Sequence, residues 1–339
     1  MKRQLERHGH AAMSHHMRSP LASAMAGAWL WQKLAIVVVL GLGIGMAVVD
    51  LPLAYFALTC IAAGPFALIV AQRLVMFGIA ARSALPRHRR SLRAKVRDQT
   101  LPVYSVLVPL FREAEVLPGL VRALYRLDYP PEKLDILIIL EAVDAETLAV
   151  AKSLGLPGHF RIVIVPDGAP RTKPKALNFA LRFARGAFVT VFDAEDVPEP
   201  TQLLDAVDAF RRARGRRLGC VQARLNIYNH RSSWLAAQFT LEYSALFDGM
   251  LPALQRLRLP IPLGGTSNHF PRSILDELGG WDPFNVTEDA DLGIRLARAG
   301  YEIEMLASTT WEEAPATIRD WLPQRTRWLK GWMQTYLVH

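Results

Sequence analysis

Two cysteines in 339 residues exclude a disulfide framework and a cysteine-based metal site: Cys60 lies inside an apolar run, Cys220 lies far from it, and no CxxC pair exists. That usage fits a reducing compartment. Acidic residues are nearly missing from the first hundred positions, which carry 3 Asp/Glu against 13 Lys/Arg, whereas the other 239 carry 28 against 27. The formal net charge of +9 therefore belongs to the N-terminal segment. A nucleic-acid enzyme spreads its bases over a catalytic face, so no nucleic-acid partner is expected. A GxxxxGKS/T loop is absent too, which excludes phosphate binding in the P-loop manner. What is present in excess is apolar side chain, 51% of the chain against 21% charged, the balance of a membrane-attached globular protein.

Two apolar stretches account for the excess. The first runs from Leu34 to Val49 and extends back to Ala28; the second runs from Leu51 to Ala71, with Asp50 and Pro52 to turn the chain between them. Each comes close to the roughly 20 residues that a helix needs to cross a bilayer. The expected organisation is a polar, basic, disordered leader over 1–27, a two-helix transmembrane hairpin over 28–77 and a basic juxtamembrane linker over 78–100. Lys2, Arg3, Arg7 and Arg18 precede the hairpin; Arg73, Arg82, Arg87, Arg89, Arg90, Arg93, Lys95 and Arg97 follow it. By the positive-inside rule both ends are cytoplasmic, which predicts a multi-pass protein of the cell (inner) membrane with its globular part in the cytoplasm. Gly41, Gly43 and Gly45 lack the spacing and preceding strand of a dinucleotide site and suit close helix packing in lipid. His8, His10, His15 and His16 sit in the leader without other ligands and read as tail.

From Tyr104 onward, short β-branched runs alternate with helical patterns, which predicts an α/β fold built on a mostly parallel sheet with flanking helices. The runs are 104–108, 135–140, 161–165 and 188–192, separated by helices near 114–126, 144–154 and 174–185. Ligands of such sheets bind at the carboxyl ends of the strands. Those ends are Pro109 to Glu113, Glu141 to Asp144, Pro166 to Lys175 and Asp193 to Asp196, three carrying carboxylates and one carrying Arg171, Lys173 and Lys175. Acids beside bases at one edge suit a metal-bridged phosphate ligand. Asp193, Glu195 and Asp196 repel one another unless a cation sits among them, and two carboxylates with diphosphate oxygens suit Mg or Mn. Alone, the cluster also reads as a solvated turn before the next helix.

Two further constellations follow. Thr287-Glu288-Asp289 precedes Leu292, Leu296 and Ala299 at helical spacing, so it reads as helix capping or as a site that offers Asp289 as general base to a hydroxyl nucleophile. Gln324-Arg325-Thr326-Arg327-Trp328, with Trp332, reads as an interfacial amphipathic helix and as a forked donor and indole platform for a diphosphate and a sugar.

In that order and at those separations, these motifs resemble the DxD, TED and QxxRW motifs of membrane-bound family 2 glycosyltransferases, the group of the cellulose and hyaluronan synthases. The resemblance covers Tyr104 to the end and includes Val108-Pro109 to Glu113 and Pro174-Lys175-Ala176-Leu177-Asn178. It implies a GT-A domain over 101–313 and an interfacial helix over 314–339 that leads, in secreting relatives, to further transmembrane helices. It also implies inverting transfer from a UDP-sugar, UDP-glucose or UDP-N-acetylglucosamine, to a carbohydrate acceptor in extracellular polysaccharide synthesis, with a divalent metal cofactor and a polysaccharide-secretion partner. Residue by residue, Glu141, Asp144, Lys175, Asp193 and Arg327 would hold the donor nucleotide. Asp193, Glu195 and Asp196 would hold the metal, and Asp289 would be the base. Gln324, Trp328, Glu288, Thr266 and Asn268 would line the acceptor side. The sequence departs from the family pattern where Glu195 stands for the second acid of DxD, where Glu141 stands for an Asp, and where the chain ends at His339. A silent nucleotide-sugar sensor has no need of Asp289, and a nucleotidyltransferase leaves the hairpin and the Gln324 to Trp328 helix unexplained.

Overall fold

The computed structural model describes residues 23–82 and 101–339. The leader bases and histidines and the linker bases Arg87, Arg89, Arg90, Arg93, Lys95 and Arg97 lie outside those residues. Helices α1, Leu30–Val49, and α2, Leu51–Ala81, form the hairpin, and both are long and apolar enough to cross a membrane. Asp50 makes the turn: its side chain accepts the Leu53 N–H at 2.9 Å and caps α2, while Pro52 falls in the first turn, where a missing N–H costs nothing. Val49 is 87% exposed, as a side chain meant for lipid would be. α2 continues past Ala71 to Ala81, and Phe77 lies so close over Gly249 that an added Cβ there would be 2.6 Å from its ring.

The rest forms one eight-stranded sheet in the order β3-β2-β1-β4-β7-β6-β8-β5. Strands β1 Tyr104–Leu110, β2 Leu134–Glu141, β3 Phe160–Val165 and β4 Phe188–Val191 are parallel neighbours and match the four expected runs within two residues. Their near-continuous burial follows from helices on both faces. Leu107, Leu137, Ile139 and Val191 pack with Leu177 of α5, Lys173–Leu181; Val106, Val108, Ile136 and Ile138 pack with Leu117 and Leu120 of α3, Leu117–Leu124. Successive strand residues thus feed opposite cores. Helix α4, Ala145–Ser153, follows β2.

Strands β5 Val197–Pro198, β6 Leu218–Ile227, β7 Asn268–Pro271 and β8 Glu302–Glu312 complete the sheet, with helix α6, Gln202–Arg212, between β5 and β6. β7 runs antiparallel to β4 and β6, and β6 pairs parallel with β8. The extension is closed by buried polar groups: Gln202 Nε2 donates to Thr310 at 3.0 Å, Ser267 and Thr310 hydroxyls meet at 2.6 Å, and His269 meets Tyr104 OH at 2.8 Å. Burial pushes His269 down to about 3, so the imidazole is neutral there. Helix α7 Trp234–Ser244, a π-helical turn Ala245–Met250 and α8 Leu251–Arg256 follow β6; α9 Arg272–Leu278 and α10 Glu288–Arg298 precede β8; α11 Ile318–Val338 closes the chain.

Candidate active site

The carboxyl ends of β1 to β4 converge on a cavity of about 310 Å³ lined by Phe111, Glu113, Glu141, Val143, Arg171, Lys173, Asp193, Glu195 and Arg327. A second cavity of about 670 Å³ shares Glu113, Glu195 and Arg327 with it and adds Glu313, Asp320, Gln324 and Pro323. The two meet at Glu113, Glu195 and Arg327. Beside the first cavity, Asp193, which lines it, and Asp289, which lines neither, approach Gly265, whose ideal Cβ position is 3.9 Å from the Asp193 carboxylate and 3.6 Å from that of Asp289. Acids of two motifs nearly a hundred residues apart thus border one point, and the absence of a side chain at Gly265 keeps it open.

Lys173 is the cation at that point. Its ammonium pairs with Asp193 and donates to Gly265 O at 3.1 Å. Burial by itself lowers its pKa, but the carboxylates of Asp193, Glu288 and Asp289 outweigh that and hold it charged. Sequence reasoning placed Lys173 at this edge but gave the nucleotide to Lys175. The structure turns Lys175 inward: it donates to Gly168 O at 2.9 Å, lies 3.7 Å from Glu141 and holds the 166–172 loop. One residue along a helix is about 100° of rotation, so two residues in the same turn face nearly opposite ways.

The acids divide in the same manner. Asp193 and Glu195 face the first cavity; burial and the Asp193 charge push Glu195 up to about 7. Asp196 faces away from both cavities, accepts the Asp193 N–H at 2.6 Å and the Thr266 hydroxyl, and is raised well above its ordinary value by burial and by Glu312. Asp144 lines neither cavity: it caps α4 through the Thr147 N–H and accepts the N–H of Arg112, whose φ of 60° bends the chain after β1. Thr266 and Asn268 are buried, Thr266 bonding Val191 O and Asn268 bonding Gly264 O, so they shape the loop that presents Gly265. Sequence reasoning missed Glu312, which burial and the neighbouring acids push up to about 8. Its signal was weak, a lone Glu at the end of a mixed polar strand.

Glu288 and Asp289 open α10. Thr287 sits at the N-cap position, yet its hydroxyl bonds Asn285 rather than the helix. Burial raises both acids, Glu288 to about 7, and Lys173 opposes the rise. The loop before them is held from three sides. Asn178 of α5 bonds both backbone groups of Trp281, and Thr172 bonds Pro283 O. From α11, Gln334 bonds Val286 and Phe284, Thr335 bonds Asn285, and Gly331 lies so close that a Cβ would be 2.3 Å from the Thr287 hydroxyl. From the turn before α1, Ser23 donates to Asp282 at 3.1 Å and Ala24 N–H to its other oxygen at 2.7 Å. In α11, Gln324 and Arg327 reach the second cavity, while Trp328 packs on Phe239 with ring centroids 5.9 Å apart. Arg325 lies over Phe239, Trp321 and Trp328 and pairs with Glu242, anchoring α11 to α7.

Among the described residues no three His, Cys, Asp or Glu side chains converge enough to hold a metal unaided. Asp193 and Glu195 fit a divalent ion as a partial donor set: both are oxygen ligands beside a diphosphate-sized cavity, and Glu195 is raised by a repulsion that a cation relieves.

A family model described as "Glycosyltransferase like family 2" matches residues 102–331. The beta-monoglucosyldiacylglycerol synthase of Trichormus variabilis is 30% identical over 260 residues, 75% of this chain and 53% of the relative. The poly-beta-1,6-N-acetyl-D-glucosamine synthase of Staphylococcus epidermidis is 28% identical over 244 residues, 71% of this chain and 57% of the relative. The chain spans about half the length of the curated relatives it matches. Among solved structures, the mannosyltransferase PcManGT from Pyrobaculum calidifontis, in complex with GDP-Man and Mn2+, has a TM-score of 0.56 and 22% identity, covering 80% of this chain and 74% of that one. That likeness shows the GT-A fold.

Proposed function

The chain belongs to glycosyltransferase family 2, and from that premise we propose that it transfers a hexose from a UDP-sugar, with inversion, to an acceptor hydroxyl at the cytoplasmic face of a membrane, in polysaccharide synthesis. The single observation that carries this reading is the meeting of Asp193, Lys173 and Asp289 at Gly265, beside the first cavity, which Asp193 and Lys173 line. The donor diphosphate lies along Glu113, Asp193 and Arg327, and the acceptor occupies the second cavity beside Gln324. Asp289 takes the proton of the acceptor hydroxyl, whose oxygen attacks the anomeric carbon as the bond to the UDP oxygen breaks. Lys173 keeps Asp193 and Asp289 oriented, and the forked guanidinium of Arg327 meets charge developing on the leaving diphosphate. Asp193 and Glu195 would hold a divalent ion, which would supply neutralisation of that same charge.

A lipid hydroxyl is the second acceptor reading. It is favoured by Leu322, Leu329 and Met333, exposed along α11, the helix that lines the second cavity through Pro323, Gln324 and Arg327, and by the name of the Trichormus relative. The test is UDP release by the membrane-reconstituted chain from a panel of UDP-sugars, with Mg or Mn, with a sugar or diacylglycerol as acceptor. Asp289→Asn should lower turnover by roughly 10²- to 10⁴-fold with UDP binding intact. Near-normal release by that variant removes Asp289 from the role of base.

A further inference from the structure

A third cavity, about 590 Å³, lies at the opposite end of the sheet, where β6 and β8 begin, and is lined by Arg216, Gln255, Arg256, Arg258, Leu259 and Tyr301 among others. β8 spans 11 residues, so about 33 Å of strand separate this cavity from Glu312 at the active-site end. It is a different site, and nothing in the proposed transfer uses it.

Three features define its ligand. The first is charge: Arg216, Arg256 and Arg258 line it against one acid, Glu302, and Arg216 is engaged by Glu302 at 2.6 and 2.9 Å and by Glu304 at 2.9 Å, which leaves the charge to the end of α8. Arg217 adds a fourth guanidinium 4.5 Å over the Tyr301 ring. The second is the backbone of Arg258. Helix α8 ends in the two hydrogen bonds of a Schellman turn, Leu259 N–H to Leu254 O and Arg258 N–H to Gln255 O, both at 3.0 Å. Arg258 holds the left-handed position of that turn at φ 56°. Glycine fills such a position without strain, so an arginine there costs stability that its side chain must offset elsewhere. The third is location. α8 and the π turn pack on the C-terminal end of α2, the end read above as cytoplasmic, through Phe77, four residues and therefore about 6 Å beyond Arg73, the first charge after the apolar run. Leu257 and Leu259, each 44% exposed, flank Arg258 as apolar shoulders.

We propose that this cavity binds the phosphate headgroup of an anionic membrane lipid, with Arg258 on the phosphate and Leu257 and Leu259 against the acyl-glycerol region. A guanidinium fork matches phosphate oxygens, and a basic loop with apolar flanks at headgroup depth suits a lipid better than a soluble anion.

The experiment uses the full chain in nanodiscs carrying headgroup-photoactivatable phosphatidylglycerol or phosphatidylcholine, with crosslinks mapped by mass spectrometry. Phosphatidylglycerol should label residues 256–260 at least fivefold more than phosphatidylcholine does. Arg258→Gly should remove most of that label while the melting temperature holds or rises, because glycine relieves the turn; UDP binding should not change. Equal labelling by the two lipids, or full labelling of Arg258→Gly, overturns the proposal. So does loss of the label on adding millimolar pyrophosphate, which would make the ligand a soluble anion.

Discussion

The two sides of the candidate active site are built by different means. On the side proposed for the donor each residue stands at the end of the strand that delivers it or a few positions beyond: Glu113 after β1, Glu141 at the end of β2, Asp193 two residues after β4. On the side proposed for the acceptor Glu288 and Asp289 open a helix whose approach loop is pinned by distant groups, Ser23 from before α1 and Gln334 and Thr335 from α11. Local delivery makes the donor side depend on the stability of the parallel sheet. Distant clamps make the acceptor side depend on how the hairpin and α11 dock, so damage there should reach turnover before it reaches nucleotide binding.

The sharpest way to break this contrast is Gly331→Ala. The added methyl would overlap Thr287 and push α11 off the loop, and a displacement near 1 Å costs roughly a hundredfold in rate. We expect UDP release to fall by about that factor while UDP affinity, measured calorimetrically, stays within about twofold. Equal losses in both would show that the two sides are not separable.

Asp135 tests the other side through stability. Its buried carboxylate at the base of β2 accepts from Ser105, from the Arg185 N–H and from Arg161. Burial alone would raise its pKa, but those bonds outweigh it and hold the group below the ordinary value. Its contribution is therefore complete above the unfolded-state value near pH 4 and is lost as pH falls through the lower folded value. Asp135→Asn should cost about 2 kcal/mol at pH 7 and flatten the acid limb of the stability curve in urea melts between pH 5 and 3. A variant as acid-sensitive as the wild type would refute this.

Asp282→Ala is expected to have the smallest effect of the three. It releases the turn before α1 from the loop and should lower UDP release by about tenfold, with the donor KM unchanged. A rise in donor KM with unchanged turnover would place the clamp on the donor side instead.

The parts most legible in the sequence were those in which neighbours in the chain are neighbours in space. β1 to β4 read as strands because both faces are buried, and Asp50 with Pro52 read as a turn because capping is local. β7 and β8 did not read as strands. β7 is four residues long, and β8 buries Ser308 and Thr310, whose hydroxyls bond Glu199, Gln202 and Ser267 across the sheet. A buried polar network has the composition of a loop until its partners are known. Asp196 and Asp144 carried the chemistry expected of ligands, yet both are occupied by backbone N–H groups of the loops they organise.

By itself the sequence determined the two long apolar helices and the turn between them, the parallel half of the sheet and the kinds of side chain at its edge, since periodicity, burial and capping act over a few residues. Only the tertiary structure decided that Lys173 and not Lys175 meets Asp193, that Asp196 turns inward, and that Gly331, Asp282 and Asn178 together hold the loop before Asp289. Those choices depend on the rotation of whole helices and on contacts between residues tens to hundreds of positions apart, and no local pattern encodes either.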